Sequence, residues 1–275
     1  MMRLEVNKGI GEACYDVPDW GTLELPKPAF NRLRKRSLPW FKEKISWAGE
    51  YFTDQRCENM DIVATYRPYH FNGADFGLYL YIRYFMAFLL NILETTKLSI
   101  GEAHAFSLEC VQSHGAFHYL VEQFAERYDL HQTEFSLERK HNIYQNYKRE
   151  VYCQCWGTGE CFEETLANAY VIQNHPEWDD LRITYLRQLY ARQRGGYVQA
   201  AQLEVQDRSA LYSHLENQII RSDEITGYLF LEQWIKHKTP FNVEQLPIYL
   251  VNDGLEDSEF EKILELFFPT FLELK

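Results

Sequence analysis

Positive charge is scarce in this chain: 28 Lys and Arg stand against 40 Asp and Glu, for a net charge of −12. Nonspecific binding to nucleic acid or to an anionic membrane needs a positive surface, so both classes are disfavoured. The one basic run, Arg32 to Arg36, is short and reads as a solvated helix face. Long apolar runs are missing too. The most apolar stretch, Leu78 to Leu93, contains Arg83 and falls short of the ~20 residues that a membrane span needs, so a buried core helix is expected there. None of the six cysteines (Cys14, Cys57, Cys110, Cys153, Cys155 and Cys161) pairs at CxxC spacing, which excludes a zinc knuckle or a dithiol redox motif. The CxC of Cys153 and Cys155 matches no standard metal site, and buried thiols are the better reading. No apolar segment follows a basic start at the N-terminus, so no secretory leader is expected, and a reduced, cytoplasmic protein is. There is no Gly-rich phosphate loop, no GxSxG elbow and no internal repeat.

What is present is the composition of a globular protein, with 46% hydrophobic and 25% charged residues. The 19 Tyr and 18 Phe add large buried areas and, from Tyr, polar tips able to line a cleft. Residues 1–67 read as an N-terminal arm and lead-in, with a helix near Pro39 to Tyr51 and a short strand in Asp61 to Tyr66. Residues 68–275 read as the main domain, with one compact domain over 1–275 as the alternative. Pro68 to Gly77 is turn chemistry, and from Leu78 onward helix predominates. Ser99 and Glu102 form a capping box that opens a helix from Ile100 to about Tyr128. Polar residues 131–149 read as loop or frayed helix, Val151 to Trp156 as a strand, and Gly157 to Gly159 as a turn. Helices are expected over Glu160 to Asn174, over Glu177 to Arg194 with a stop at Gly195-Gly196, and over Tyr197 to Ile220. A strand at Leu246 to Val251, a turn at Asn252 to Gly254 and a helix over Asp257 to Phe268 complete the chain. The expected class is mainly α with a small β component, α+β.

The capped helix carries His114-Gly115-Ala116-Phe117-His118. Residues four apart share a helix face, with Cβ atoms about 5 to 6 Å apart, so both imidazoles can converge on one metal ion. Val111, His114, His118 and Glu122 form a stripe that flanks the apolar one. Chance spacing among nine histidines is the competing reading, and a third ligand is needed. Glu163 and Glu164 supply candidates on the helix that follows, although acids in a first helical turn also answer the helix dipole.

The run His114 to His118, followed by Glu163-Glu164-Thr165-Leu166-Ala167-Asn168-Ala169, resembles bacterial zincin metallopeptidases. Those proteins carry a capped HExxH helix and a downstream helix of the form E-E-x-x-A-N-A. The likeness covers roughly Pro68 to Asn174 and extends to Val121-Glu122-Gln123-Phe124 and Lys148 to Tyr152. It implies a zincin-like helical core and a Zn2+ ion held by His114, His118 and Glu164, with Glu163 as the alternative ligand.

The chain departs from that pattern at the residue after the first histidine. Glutamate is the general base of such sites, and here Gly115 stands in its place. Drift, close packing or an engineered change would each account for a glycine. Three outcomes follow, in order of preference: a pseudoenzyme that keeps the metal, a peptidase whose base is Glu109, Glu122 or the unused member of Glu163 and Glu164, and different metal chemistry. A rival from another class is an interaction protein with no metal. The acidic balance favours a protein or peptide partner over nucleic acid.

Overall fold

The structure, a computed structural model, describes residues 12–14, 63–68, 76–135, 143–147, 149–151, 161–193, 195–202, 205–220, 230–239, 241, 246–252 and 254–268. In chain order the elements are β1 (Glu12–Cys14), β2 (Ala64–Arg67), β3 (Gly77–Tyr81), α1 (Ile82–Thr95) and α2 (Ile100–Phe135). They continue with α3 (Ile143–Asn146), α4 (Phe162–Gln173), α5 (Asp180–Tyr190), a 3-10 helix (Gly195–Gln202), α6 (Val205–Ile220) and α7 (Leu231–His237). Last come β4 (Ile248–Val251) and α8 (Asp257–Phe267). The described residues are therefore mostly helical with one small sheet. No helix among them is long and apolar enough to cross a membrane.

The chain divides into two compact units, residues 1–115 with 242–275, and residues 116–241. In the first unit the sheet order is β1-β4-β3-β2, with β3 parallel to β4 and the outer pairings antiparallel. The register sets Tyr79 opposite Tyr249, and their rings stack at 4.5 Å with the Arg67 guanidinium 3.7 Å over Tyr79. Gly77 opens β3 at φ +143, and a Cβ there would meet the Pro247 carbonyl oxygen at 2.5 Å, so the strand can start this close to β4 only with glycine.

Leu78 to Tyr81 thus form a strand, and the expectation of helix from Leu78 is corrected. Leu78, Tyr79 and Leu80 are all buried, and a strand covered on both faces shows no alternation. Such a run cannot be told from a buried helix by periodicity. The helix begins at Ile82 instead, and Ile82, Phe85, Met86, Phe88, Leu89 and Ile92 of α1 are buried.

The capping box forms as the spacing requires. The Ser99 backbone N–H donates to Glu102 Oε2 at 2.8 Å, and the Glu102 N–H donates to Ser99 Oγ at 3.4 Å. α2 then runs to Phe135, beyond the expected end near Tyr128. No Pro or Gly interrupts 129–135, and polarity alone does not end a helix. Residues 143–146 are helical, and Val151 lies in a helical turn rather than opening a strand.

In the second unit α4 ends at Gln173, ahead of His175-Pro176 as expected, and α5 starts later than expected because Asp179 caps it, accepting from the Arg182 N–H at 3.0 Å. Gly195 and Gly196 do not terminate α5. They begin the 3-10 helix, where Gly196 lies against the Cys161 carbonyl with no room for a Cβ. The expected single helix over Tyr197 to Ile220 is accordingly two elements. The expected helix near Pro39 to Tyr51, the turn at 157–159 and residues 152–156 lie outside the described residues, as does most of the turn 68–77.

One buried ionisable group marks the core of the first unit. His104 of α2 is packed against the rings of Phe85, Phe267 and Phe268, at centroid distances of 5.8, 5.6 and 5.4 Å. Its Nε2 is buried and makes no hydrogen bond among the described residues. Burial pushes its pKa down from 6.5 to about 3. Above pH 6.5 the ring is neutral whether folded or unfolded. Below that, the unfolded chain takes a proton that the folded one refuses, so stability falls as pH drops toward 3. Between pH 6.5 and 4.5 the native protein should lose about 2 kcal/mol more than His104→Phe, measured by urea unfolding of both across that range.

Candidate metal centre

Cys161 is the N-cap of α4, its side chain makes no capping hydrogen bond, and Glu163 and Glu164 occupy the first turn. The helix dipole favours acids here, but a dipole alone is satisfied by solvent-exposed acids. These two are 3% and 6% exposed, so surface decoration does not explain them. Ionised carboxylates in such a place need partners.

α4 is also fixed from behind. Thr165 Oγ1 donates to the Gly196 carbonyl, and Asn168 Nδ2 donates to Gln193 Oε1 at 2.9 Å, with Thr165 and Asn168 fully buried. The Asn of the E-x-x-A-N run is therefore a tether that holds the helix to the chain entering the 3-10 helix.

His118 of α2 is the partner of both acids. Its Nδ1 lies 2.7 Å from Glu163 Oε1, and its Nε2 lies 3.4 Å from Glu164 Oε2. Burial alone would lower the His118 pKa, but the charge of Glu164 and the hydrogen bond to Glu163 outweigh it and hold the ring well above 6.5. Burial pushes the Glu163 carboxyl up, and the contacts from His118 and from Tyr147 pull it partly back. The Tyr147 hydroxyl donates to the same Glu163 oxygen at 3.1 Å.

His114 stands one turn before His118 on the same helix. Ligand atoms of His114, His118 and Glu164 all lie within 4.8 Å of one another, and all three residues are buried. This buried His-His-Glu group could hold a metal ion. The donor set fits a borderline metal such as zinc: two imidazoles and one carboxylate leave a fourth position open. Two ligand atoms at about 2.0 to 2.1 Å from a tetrahedral zinc stand about 3.3 Å apart. The 3.4 Å between His118 Nε2 and Glu164 Oε2 is of that size.

Of the residues marked in the sequence, the structure thus brings His114, His118 and Glu164 together and puts Glu163 on the opposite edge of the His118 ring. Glu122 is 2% exposed, and the Tyr144 hydroxyl donates to its Oε1 at 2.5 Å. Neither Glu122 nor Glu109 belongs to the converging group. Tyr144 and Tyr147 carry no sequence signal of their own among the 19 tyrosines, because no spacing rule links 144 or 147 to helices so far off in sequence.

Gly115 acquires a packing reason. A Cβ there would fall 2.7 Å from Leu78 Cδ1 and 3.3 Å from Cδ2, and Leu78 is 1% exposed in β3. α2 passes so close to this strand that position 115 has no space for a side chain unless Leu78 moves. Close packing is thus sufficient to account for the glycine.

No family model, curated protein or solved structure matches the chain. The functional reading therefore rests on the residues and their geometry.

Gly115→Ala sets two effects against each other. Alanine gains about 1 kcal/mol of helix propensity, while forcing Leu78 aside costs about 1 to 3 kcal/mol of overpacking. The variant should be destabilised by about 1 kcal/mol in chemical denaturation. In a Leu78→Val background, which removes the obstructing δ carbons, the same substitution should become stabilising. An equal effect in both backgrounds would rule out the contact as the reason for glycine.

Proposed function

We propose that this protein binds a zinc ion through His114, His118 and Glu164, and that it is a degenerate zincin-like metallopeptidase whose hydrolytic activity is reduced or absent. The observation that carries the reading is the convergence of three buried ligand atoms of the right chemical type from two helices. The resemblance of the His114 to His118 and Glu163 to Ala169 runs to zincin sequences supports the same reading.

A zinc ion bound there would supply Lewis-acid chemistry toward a carbonyl or phosphoryl oxygen. The chain's own residues account for the loss of efficiency. General acid–base assistance is worth about 10² to 10⁴-fold in rate, and it requires a group within hydrogen-bond reach of the proton to be moved. Position 115 offers no such group, Glu122 is engaged by Tyr144, and Glu163 is engaged by His118 and Tyr147. Two of the candidate substitute bases, Glu122 and Glu163, thus have structural occupations, which supports a pseudoenzyme over a peptidase with a relocated base. The acidic balance supports a protein or peptide partner.

One observation favours a second reading, an interaction protein without metal. A protonated His118 between two carboxylates is already a coherent buried ion pair. Metal analysis separates the two. Protein purified without a histidine tag should carry, or take up on zinc addition, about one zinc per chain. His114→Ala and His118→Ala should each lose it. A content near zero that added zinc does not raise would sink the zinc reading. Zinc-loaded protein should cleave a broad peptide library no faster than chelator-treated protein, and zinc-dependent cleavage would overturn the degenerate assignment.

A further inference from the structure

We propose that Glu163 and Tyr147 form a positioning relay for the metal centre rather than part of its ligand set. Tyr147 orients Glu163, and Glu163 fixes the ring of His118 so that Nε2 faces Glu164. The proposal rests on the zinc reading above and deepens it by assigning the two adjacent acids opposite duties.

The two glutamates are neighbours in sequence, yet they meet different edges of one imidazole. Glu163 Oε1 faces Nδ1 at 2.7 Å, and Glu164 Oε2 faces Nε2 at 3.4 Å. An imidazole that binds a metal through one nitrogen commonly donates the other N–H to a carboxylate, which fixes both the tautomer and the ring plane. Glu163 sits where that acceptor belongs. Nδ1–H donation to Glu163 leaves the Nε2 edge to Glu164, and a ligand atom of His114 lies within 4.8 Å of those of His118 and Glu164.

A carboxylate can orient a ring only if it is itself held. Glu163 Oε1 receives a second hydrogen bond, from the Tyr147 hydroxyl at 3.1 Å, and Tyr147 is fully buried. The segment that carries Tyr147 is in turn pinned at a second point. Tyr144, one turn earlier in α3, donates to Glu122, which lies one turn beyond His118 on α2. The rings of Tyr144 and Tyr147 pack at 5.9 Å. Two phenols, Tyr144 in α3 and Tyr147 just after it, therefore grip two carboxylates, one on α2 and one on α4. These contacts account for the burial of this short segment: Ile143, Tyr144 and Tyr147 are all under 7% exposed.

The chemistry expected of such a relay is specific. Outer-shell partners of metal-binding histidines typically contribute about 10 to 100-fold in metal affinity without changing stoichiometry. Both hydrogen bonds converge on one oxygen, so Glu163→Gln can preserve the acceptor while removing its charge, and Tyr147→Phe removes a donor while keeping the ring.

The experiment uses the full-length protein with zinc, measured by competition against a chromophoric chelator, and with cobalt(II), whose visible absorption reports ligand geometry. Glu163→Gln and Tyr147→Phe should each retain one metal per chain, weaken zinc binding about 10-fold or more, and alter the cobalt spectrum. Because the two act in series, the double variant should lose little more than Glu163→Gln alone. A Glu163→Gln protein that loses stoichiometric binding as completely as His118→Ala would make Glu163 a ligand and overturn the relay. So would two variants whose zinc affinity and cobalt spectrum equal the native protein's. A native chain that takes up neither metal overturns the zinc reading itself, and the relay with it. Thermal unfolding of the metal-free variants identifies a folding defect, and Tyr147→Phe, which keeps the buried ring, stays informative if Glu163→Gln is destabilised.

Discussion

The local structure around α4 turns on the cost of burying charge. Moving an ionised carboxylate out of water costs several kcal/mol even after relaxation, and two adjacent carboxylates add mutual repulsion. Glu163 and Glu164 are nevertheless both buried in one helical turn. The helix N-terminus offsets part of that cost, and His118 between the two acids offsets more. The arrangement works only if three elements are held in register, which is what the uncharged contacts do. Thr165 and Asn168 tie α4 to the residues around Gly196, and Tyr144 and Tyr147 tie α3 to α2 and α4. Losing one member of such a cluster leaves a buried charge without compensation, which typically costs about 3 to 5 kcal/mol.

A second constraint acts on the same long helix for a different reason. Position 115 lies in the turn between the two histidines, where a zincin pattern would put chemistry, but its neighbour is the Leu78 side chain. In a core packed at crystal-like density, a Cβ at 2.7 Å from a buried methyl cannot be absorbed without displacement. Glycine there is a packing solution, and any side chain at that position, glutamate included, would have to displace Leu78. Packing and chemistry thus make competing demands on a single residue, and packing is satisfied.

Much of this was legible in the sequence, and the misses have identifiable causes. Ser99 and Glu102 announced the start of α2 because a capping box is local chemistry, readable without tertiary context. His114 and His118 were readable because helical spacing fixes which side chains share a face. The pairing with Glu164 was legible only through a motif, since spacing within α2 says nothing about a helix some 45 residues further on. That Glu163 and Glu164 meet opposite edges of the His118 ring could not be read from spacing, and only the motif favoured Glu164 as the ligand. Adjacent helical residues point about 100° apart, and which of them meets Nε2 depends on how α4 is rotated, a quantity set by Asn168, Gln193 and Gly196. The strand at Leu78 to Tyr81 was misread because burial on both faces erases the period that distinguishes strand from helix.

A charge count around His118 joins these observations. With His118 protonated, one positive charge faces two buried carboxylates, and the cluster is left one charge short of neutrality. Burial is the main cause of the raised pKa of Glu163, and the neighbouring charge of Glu164 adds to it. A divalent cation among His114, neutral His118 and Glu164 would balance both carboxylates at once, while Glu163 kept its hold on Nδ1. The same side chains that make a tolerable ion cluster without metal would therefore make a charge-balanced site with one. That double fit is why the pair of acids, more than the pair of histidines, is the feature on which a metal-binding role for this buried cluster turns.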